Sequence, residues 1–201
     1  MIVARSRPSP GMVRSIARIS GHAQPHTVGV IADTHGLLRP EVTVALAGSE
    51  LIIHAGDVGS AEVLDQLREI APVVAVRGNN DKGPWAVRLP ATEVVEIGGL
   101  FLYVLHDLRE LDLDPAAAKF HGVIAGHSHR PRVEDRNGVM FLNPGSAGPR
   151  RFTLPVAVAR LHVCGERVRA EIVELEVAVP GHPSATRPES TSPPRRGSSA
   201  R

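Results

Sequence analysis

The sequence has few aromatic residues, a single cysteine and no long apolar run. Phe, Trp and Tyr make up 3% of its 201 residues, so we expect a core of Val, Ile, Leu and Ala. Cys164 cannot form an internal disulfide, which favours a reducing compartment, and we expect it to be buried on a strand. No run approaches the ~18 apolar residues of a membrane helix, and the N-terminus lacks the apolar stretch of a secretion signal. We therefore expect a cytoplasmic protein without a membrane segment.

Acidic residues are absent from residues 1–26 and nearly absent from residues 179–201. These two segments hold eight arginines and one glutamate, so a formal net charge of +2 for the chain leaves −5 for residues 27–178. Such an acidic domain is a poor surface for nucleic acid, and it suits a site that concentrates cations. Residues 1–26 mix Arg, Ser, Pro and Gly without sustained periodicity, and residues 179–201 hold almost nothing apolar. We therefore expect disordered tails at 1–26 and 179–201 around one domain at 27–178.

Strand and helix signals alternate in the first half of the domain. Short apolar runs predict strands, and a proline at a helix start, a serine at a possible N-cap and an apolar helical stripe predict helices. The strands are expected at 28–32, 51–55 and 73–76, and the helices at 40–47 and at 60–70 with Ser60 as the N-cap. This rhythm is typical of a parallel sheet.

The second half predicts hairpins instead. Gly98-Gly99 and Gly165-Glu166 are two-residue turn signals between apolar runs. The strands are expected at 93–97, 100–105, 123–125, 139–142, 156–163 and 167–177, with a bulge near Ile172 and a short helix at 115–120. A parallel start and an antiparallel finish together indicate an α/β fold of two packed mixed β-sheets, a β-sandwich flanked by helices.

Polar clusters follow the apolar runs at the points where the strands should end. The side chains in question are Asp33, His35, Asp57, Asn79, His106, His127 and His129. Ligand sites of α/β folds lie just past the carboxyl ends of strands. Residues two apart in an extended segment point to the same side, so both members of the Asp33/His35 and His127/His129 pairs can reach one centre.

The residue types in these clusters fit divalent transition metals. Imidazole nitrogen and carboxylate oxygen without thiolate suit Mn, Fe, Ni or Zn, and we expect manganese first. Asp57 offers two carboxylate oxygens and can bridge two metals ~3.5–4 Å apart. The sequence therefore predicts two divalent metal ions held by these seven residues. His54 has two interpretations, a buried core histidine or a catalytic one.

The motifs GVIADTHG, HAGD, RGNND and GHSH, together with His106, resemble the calcineurin-like metallophosphoesterase superfamily. NPGSAGPRR at 143–151 is similar to its small YfcE-type phosphodiesterase branch. The resemblance implies a β-sandwich flanked by helices that cleaves phosphoric diesters by in-line attack of a metal-bridging hydroxide. It assigns four ligands to each metal, with Asp57 shared: Asp33, His35, Asp57 and His129 to the first, and Asp57, Asn79, His106 and His127 to the second.

The same resemblance implies which residues act on the substrate. Asp57, Asn79, Asn80 and His106 would be catalytic, Asn79 and Asn80 would bind the substrate phosphate, and Asp81 would support the loop. Arg150 is a further candidate for binding the phosphate, the alternative being that Arg150 and Arg151 form a solvated surface pair. Many relatives have a proton-donating histidine where this chain has Asn80, and a second histidine where it has Leu108 after Asp107. The alternatives are a phosphomonoesterase or phosphoprotein phosphatase, a nuclease, and a non-catalytic binding scaffold, as one eukaryotic retromer subunit is.

Overall fold

The computed structural model describes residues 16–21, 24–151 and 153–177. These residues form eleven strands and two α-helices. In chain order they are β1 (Ile16–Ile19), β2 (His26–Ile31), α1 (Pro40–Ala45), β3 (Leu51–His54), α2 (Ala61–Arg68), β4 (Val73–Ala75), β5 (Thr92–Ile97), β6 (Leu100–Leu105), β7 (Gly122–Ile124), β8 (Arg132–Arg136), β9 (Val139–Asn143), β10 (Ala157–Cys164) and β11 (Arg167–Glu174).

The strands form two mixed sheets, which confirms the predicted fold class. The five-stranded sheet has the order β11-β10-β2-β3-β4, and the six-stranded sheet the order β1-β5-β6-β7-β9-β8. β2, β3 and β4 are parallel, as the alternating pattern predicts. The two predicted hairpins join β5 to β6 and β10 to β11. Gly98 and Gly99 have φ of 55° and 87°, the left-handed backbone that a two-residue hairpin turn requires.

Three apolar layers hold the sheets together. The main core lies between them and is built from aliphatic side chains such as Val30, Ile53, Leu102 and Ile124. A second layer lies where α1 and α2 cover the five-stranded sheet, and a third lies where residues 108–120 cover the six-stranded sheet. Burying one large aliphatic side chain contributes roughly 1.5–3 kcal/mol. No helix of the described residues is long and apolar enough to cross a membrane.

The helix α2 forms where its apolar residues repeat at helical spacing. Val63, Leu64 and Leu67 are buried on one side, and Glu62 in the first turn and Arg68 in the last turn suit the helix dipole. Ser60 occupies the predicted N-cap position with an extended backbone, but its side chain makes no capping hydrogen bond. The packing of the apolar side therefore stabilises this helix more than its cap does.

Part of the predicted N-terminal tail belongs to the fold. Ile16–Ile19 forms β1 and pairs in parallel with β5, and His26 begins β2 with its side chain buried. The prediction of a disordered tail over 1–26 is therefore wrong for this part. Residues 16–19 read IARI, which is too short for sequence periodicity, and the edge of β5 supplies their pairing. The tail predicted at 179–201 lies outside the described residues.

Three local predictions are wrong. The pairing of β10 with β11 runs without a bulge, because Ile172 packs toward the main core while Val173 packs toward the helix layer on the other face. Residues 115–119 form turns rather than a helix, since Lys119 takes a φ of 61° that helices cannot continue. Cys164 ends β10 but is exposed, because strand alternation buries Val163 and turns its neighbour outward.

An ion pair between His26 and Glu50 gives the fold a pH-dependent contribution. His26 Nδ1 lies 2.9 Å from Glu50 Oε2, and its Nε2 donates to the carbonyl of Gly21 at 2.8 Å. The hydrogen bond with Glu50 raises the pKa of His26 above 6.5, and the same bond lowers the pKa of Glu50 below 4.5. The stabilisation of the fold by His26 is lost as pH rises through its raised pKa. The stabilisation by Glu50 is lost as pH falls through its lowered pKa.

We expect Glu50→Gln to lower the Tm most near about pH 5.5, where both partners of the pair are charged. The Tm difference from wild type should shrink toward pH 8 and toward pH 3.5. Thermal unfolding across this pH range measures it. Glu166→Gln, at an exposed hairpin position, is the control and should give a small difference that does not vary with pH. If the Tm difference between Glu50→Gln and wild type also does not vary with pH, the ion pair is not the source of the pH-dependent stability.

Candidate metal centre

The ends of five strands bring the polar clusters to one edge of the sandwich. Asp33 and Asp57 follow β2 and β3 of the five-stranded sheet, and Asn79 follows β4. His106 and His127 follow β6 and β7 of the six-stranded sheet. The site therefore takes residues from both sheets, and each side chain is placed by a strand whose own apolar residues are fixed in the core.

Three of the predicted ligands meet in a first donor set, which consists of Asp33, His35 and His129. His129 Nε2 lies 3.2 Å from Asp33 Oδ1 and 3.3 Å from His35 Nε2. His35 Nε2 lies 3.9 Å from Asp33 Oδ1. All three donor atoms lie within 4.8 Å of one another, which is a spacing that one metal ion can span.

The second donor set consists of Asn79, His106 and His127. The Oδ1 atom of Asn79 lies 3.1 Å from His106 Nε2 and 3.1 Å from His127 Nδ1. His106 Nδ1 donates to the carbonyl of Ala55 at 2.8 Å, which leaves its Nε2 atom facing the set. Such a backbone partner fixes the ring orientation that a metal ligand needs.

Asp57 lies between the two donor sets. Its Oδ2 atom is 4.0 Å from His35 Nε2 of the first set and 3.4 Å from His106 Nε2 of the second. Burial alone would raise the pKa of Asp57, but hydrogen bonds from His106 and from Asn80 outweigh it and hold that pKa below its usual range. The carboxylate therefore stays charged although only 2% of the residue's surface is exposed.

The first donor set has an unsatisfied oxygen. Asp33 Oδ1 is fully buried and has no hydrogen-bond partner among the described residues. A buried carboxylate oxygen that accepts no hydrogen bond is costly unless a cation meets it. The nitrogen and oxygen donors around it, without thiolate, match the preferences of Mn, Fe, Ni or Zn. The residues present therefore fit a divalent metal ion.

The backbone at the donor residues is strained. Seven non-glycine residues of the described chain have positive φ, and five of them are Asp33, His35, Asp57, His127 and His129, with φ between 47° and 65°. Residues other than glycine adopt this backbone region at a cost of order 1–3 kcal/mol each. Such strain persists where surrounding contacts impose it, and it concentrates here on the residues predicted to bind metal.

Glycines allow the loops of the centre to approach one another closely. A Cβ on Gly78 would lie 2.1 Å from the backbone nitrogen of Asp57, and one on Gly126 would lie 2.9 Å from Asp33 Oδ2. Any side chain at Gly78 would displace the Asp57 loop. Glycine is therefore required in the RGNND and GHSH motifs because a neighbouring loop packs against it, and not only because the chain turns there.

Comparison with known proteins identifies the family. The profile described as calcineurin-like phosphoesterase superfamily domain matches residues 27–166. A Methanocaldococcus jannaschii protein named "probable metallophosphoesterase" is 33% identical over 186 residues, covering 79% of this chain and 94% of that protein. The chain belongs to the calcineurin-like phosphoesterase superfamily. The resemblance inferred from the motifs is confirmed.

Two further matches bear on function and fold. A second M. jannaschii protein, named a phosphodiesterase, is 28% identical to this chain over 137 residues, covering 59% of this chain and 82% of its own length. The crystal structure of Chaetomium thermophilum Vps29 superposes with a TM-score of 0.62 at 23% identity, covering 74% of this chain and 97% of that one. The Vps29 likeness extends to the fold alone.

Several other residues that the sequence analysis singled out have defined hydrogen-bond partners. Asn80 donates from its backbone nitrogen to Asp57 Oδ1 at 2.8 Å and from its side chain to Asp57 Oδ2 at 2.6 Å. His54 is fully buried and hydrogen-bonded to Thr34, and burial, with the nearby His106, lowers its pKa to about 3. The core interpretation of His54 is therefore the one that the structure supports.

The arginines near the centre have different partners. Arg150, the predicted phosphate ligand, donates from Nε to the carbonyl of Leu154 at 3.2 Å. Its neighbour Arg151 is close enough to His35 that its charge contributes to the lowered pKa of that imidazole, an effect that burial dominates. Arg109 was not predicted, and its guanidinium lies 2.9 Å from His127 Nε2. No motif marks Arg109, although Asp107 two residues earlier was noted.

Asp81 connects two loops of the centre by hydrogen bonds, which agrees with the predicted supporting role of this residue. Its carboxylate accepts from the backbone nitrogens of Gly59 and Gly78, both at 2.8 Å. The carboxylate is buried, so each of these charge-assisted bonds is worth more than a surface bond. Asp81 therefore fixes the distance between the loops that carry Asp57 and Asn79.

We expect Asp81→Ala to lower the free energy of unfolding by about 2–4 kcal/mol, because a buried backbone donor, Gly78, and a part-buried one, Gly59, lose their charged partner. Urea denaturation in the presence of chelator measures this without a contribution from bound metal. Asp65→Ala removes an exposed carboxylate paired with Arg68 and should change stability by less than about 0.5 kcal/mol. Equal effects of the two substitutions would show that Asp81 does not hold the loops.

Proposed function

We propose that this chain is a phosphodiesterase that hydrolyses phosphoric diesters with two divalent metal ions, manganese being the first candidate. One observation carries the proposal: the carboxylate of Asp57 lies between two sets of nitrogen and oxygen donors, within 4.0 Å of a histidine of each. A single shared carboxylate between two donor sets is the arrangement that a dinuclear centre requires.

The residues of the chain have distinct roles in this proposal. Asp33, His35 and His129 would hold one ion, and Asn79, His106 and His127 the other, with Asp57 shared. Bound divalent ions supply a nucleophile of lowered pKa and neutralise charge on the phosphoryl oxygens. The strained loops keep the donors in place before substrate arrives, which lowers the cost of orienting them.

Asn80 would act on the substrate once cations occupy the centre. Its amide now donates to Asp57 Oδ2, the oxygen that lies between the donor sets. A cation at that oxygen competes with the amide, and a released amide can donate to a phosphate oxygen. Asn80 would thus position the phosphate without exchanging a proton.

One observation favours a diesterase over a phosphatase: the relative named a phosphodiesterase supports diester hydrolysis. The asparagine at position 80 bears on the leaving group instead, because it lacks the titratable group that an alkoxide needs. All seven predicted donors converge at one place, which a binding scaffold does not need. The same convergence accommodates a phosphomonoesterase, so the substrate must be tested directly.

A panel of aryl esters tests the proposal. Purified protein, stripped with chelator and reloaded separately with Mn²⁺, Ni²⁺, Fe²⁺ or Zn²⁺, should hydrolyse bis(p-nitrophenyl) phosphate with a higher kcat/KM than p-nitrophenyl phosphate. The chelated protein should be inactive. Higher kcat/KM for the monoester would replace the diesterase by a phosphatase, and inactivity toward both esters with every metal would favour a scaffold.

A further inference from the structure

A groove with a volume of about 470 Å³ opens beside the second donor set, on the outer face of the six-stranded sheet. Its apolar floor includes Phe141, and four arginines line it. We call it the arginine groove and define it by Arg109, Arg130, Arg132, Arg136, Glu134 and Phe141. The sequence analysis did not predict it, because two of its arginines, Arg132 and Arg136, lie on β8, which has no apolar pattern.

The edge strand β8 builds one wall of the groove. Alternate side chains of a strand share a face, so Arg132, Glu134 and Arg136 point into the groove together. Glu134 forms ion pairs with both arginines. The Arg136 guanidinium lies 4.4 Å from the centre of the Phe141 ring, which restrains it over the apolar floor. The wall is therefore an ordered array of charges.

Positive charge exceeds negative charge in the groove. Four guanidinium groups line it against two carboxylates, those of Asp107 and Glu134. Arg130 is exposed, and within the described part of the chain its guanidinium forms no ion pair. The domain around the groove is acidic, with −5 over residues 27–178. A local excess of arginine on an acidic domain indicates an anionic ligand.

One imidazole separates the groove from the metal centre. His127 lines the groove, and its Nε2 lies 2.9 Å from the Arg109 guanidinium. The other nitrogen of the same ring, Nδ1, lies 3.1 Å from Asn79 Oδ1 of the second donor set. A phosphate held at the donor sets therefore lies about one ring width from the groove, within reach of a substituent on the same molecule.

We infer that the arginine groove binds a second anionic group, a carboxylate or phosphate, carried on one arm of the phosphodiester substrate. This inference rests on the proposed function, and it names the substrate class: diesters with a charged arm. The guanidinium groups of Arg132 and Arg136 would share their hydrogen bonds between Glu134 and the incoming anion. Glu134 thus weakens binding of the anion and keeps the arginines in place when the groove is empty.

Two esters with the same leaving group isolate the effect of the arm. p-Nitrophenyl 2-carboxyethyl phosphate and p-nitrophenyl propyl phosphate differ in the charge of an arm of similar length. We expect wild type to have about tenfold higher kcat/KM for the charged ester, through a lower KM, which corresponds to about 1.4 kcal/mol. A 2-phosphonoethyl arm, with more charge, should increase this preference. Equal kcat/KM for the charged and propyl esters would overturn the inference.

Matched variants assign the preference to the groove. In R132Q/R136Q the preference should fall to about twofold or less, with kcat/KM for the propyl ester unchanged. R167Q/R169Q removes the same charge from exposed positions of β11 and should keep the full preference. E134Q removes the competing carboxylate and should increase the preference. If R132Q/R136Q and R167Q/R169Q behave alike, the groove is not the anion site.

A binding measurement separates the inference from the proposed function. If wild type hydrolyses none of these esters with any metal, the proposed function fails, and the groove is tested with chelated protein alone. Calorimetric titration with methyl 2-carboxyethyl phosphate should then give a Kd at least about tenfold lower for wild type than for R132Q/R136Q. Equal values of Kd would overturn the groove's role independently of catalysis.

Discussion

Replacing Asp57 by asparagine is expected to lower kcat/KM for an aryl phosphodiester at least roughly 10³-fold, about 4 kcal/mol of transition-state stabilisation. The substitution keeps the size of the side chain but removes the one charge that lies between the two donor sets. An amide oxygen holds two cations far less well than a carboxylate does. Steady-state kinetics at saturating Mn²⁺, with metal content measured on the same sample, give the result.

The fold should survive the Asp57 substitution, and chelated wild type should resemble the variant. The amide oxygen can still accept from the backbone nitrogen of Asn80, which now donates to Asp57 Oδ1. Asp65→Asn, at an exposed position on α2, is the matched control and should keep full activity. Near wild-type turnover and metal content in Asp57→Asn would show that a different residue bridges the metals.

Diesters with aryl leaving groups are expected to be hydrolysed about 10²–10⁴-fold faster than alkyl monoesters, the range that general acid catalysis supplies. A phenolate leaves without much protonation, while an alkoxide needs a proton in the transition state. Asn80 cannot supply that proton. The other candidates have other partners: Asp107 is paired with Arg109 at 2.6 Å, and His54 is fully buried against Thr34.

Asn80→His should raise turnover of alkyl monoesters more than turnover of aryl diesters. Rates for a series of esters with leaving groups of increasing pKa are measured on wild type and variant. The comparison is the slope of the logarithm of the rate against the pKa of the leaving group. The variant's slope should be shallower. Metal content of both proteins must be equal, because an imidazole next to Asp57 can also bind metal. A wild type that already prefers alkyl monoesters would show that another residue supplies the proton.

The parallel strands around the centre and the candidate residues of the donor sets could be predicted because each rests on a short-range signal. An apolar run such as that at 28–32, followed at once by Asp33, marks both a buried strand and a polar side chain at its end. Parallel neighbours then bring these ends to one edge. The strand signal before each residue and the spacing of the motifs were enough to predict Asp33, Asp57 and His127 as candidate ligands.

Other features depend on contacts that no short-range pattern records. The positive φ of Asp33 and Asp57 is imposed by packing of the loops, and the only local hint is the glycine that precedes Asp57. β8 reads RVEDR, four charged residues of five, and it is a strand because the edge of β9 pairs with it. Its arginines form the groove only because β9 places Phe141 beside them.

The number of metal ions bound at saturation is the most direct test of the dinuclear centre. Crystals of the protein soaked in Mn²⁺ and measured at the manganese absorption edge should show two anomalous peaks ~3.5–4 Å apart. One peak should lie among Asp33, His35 and His129, the other among Asn79, His106 and His127, and Asp57 should contact both. A single peak at saturating Mn²⁺, or two peaks that do not share Asp57, would contradict the account.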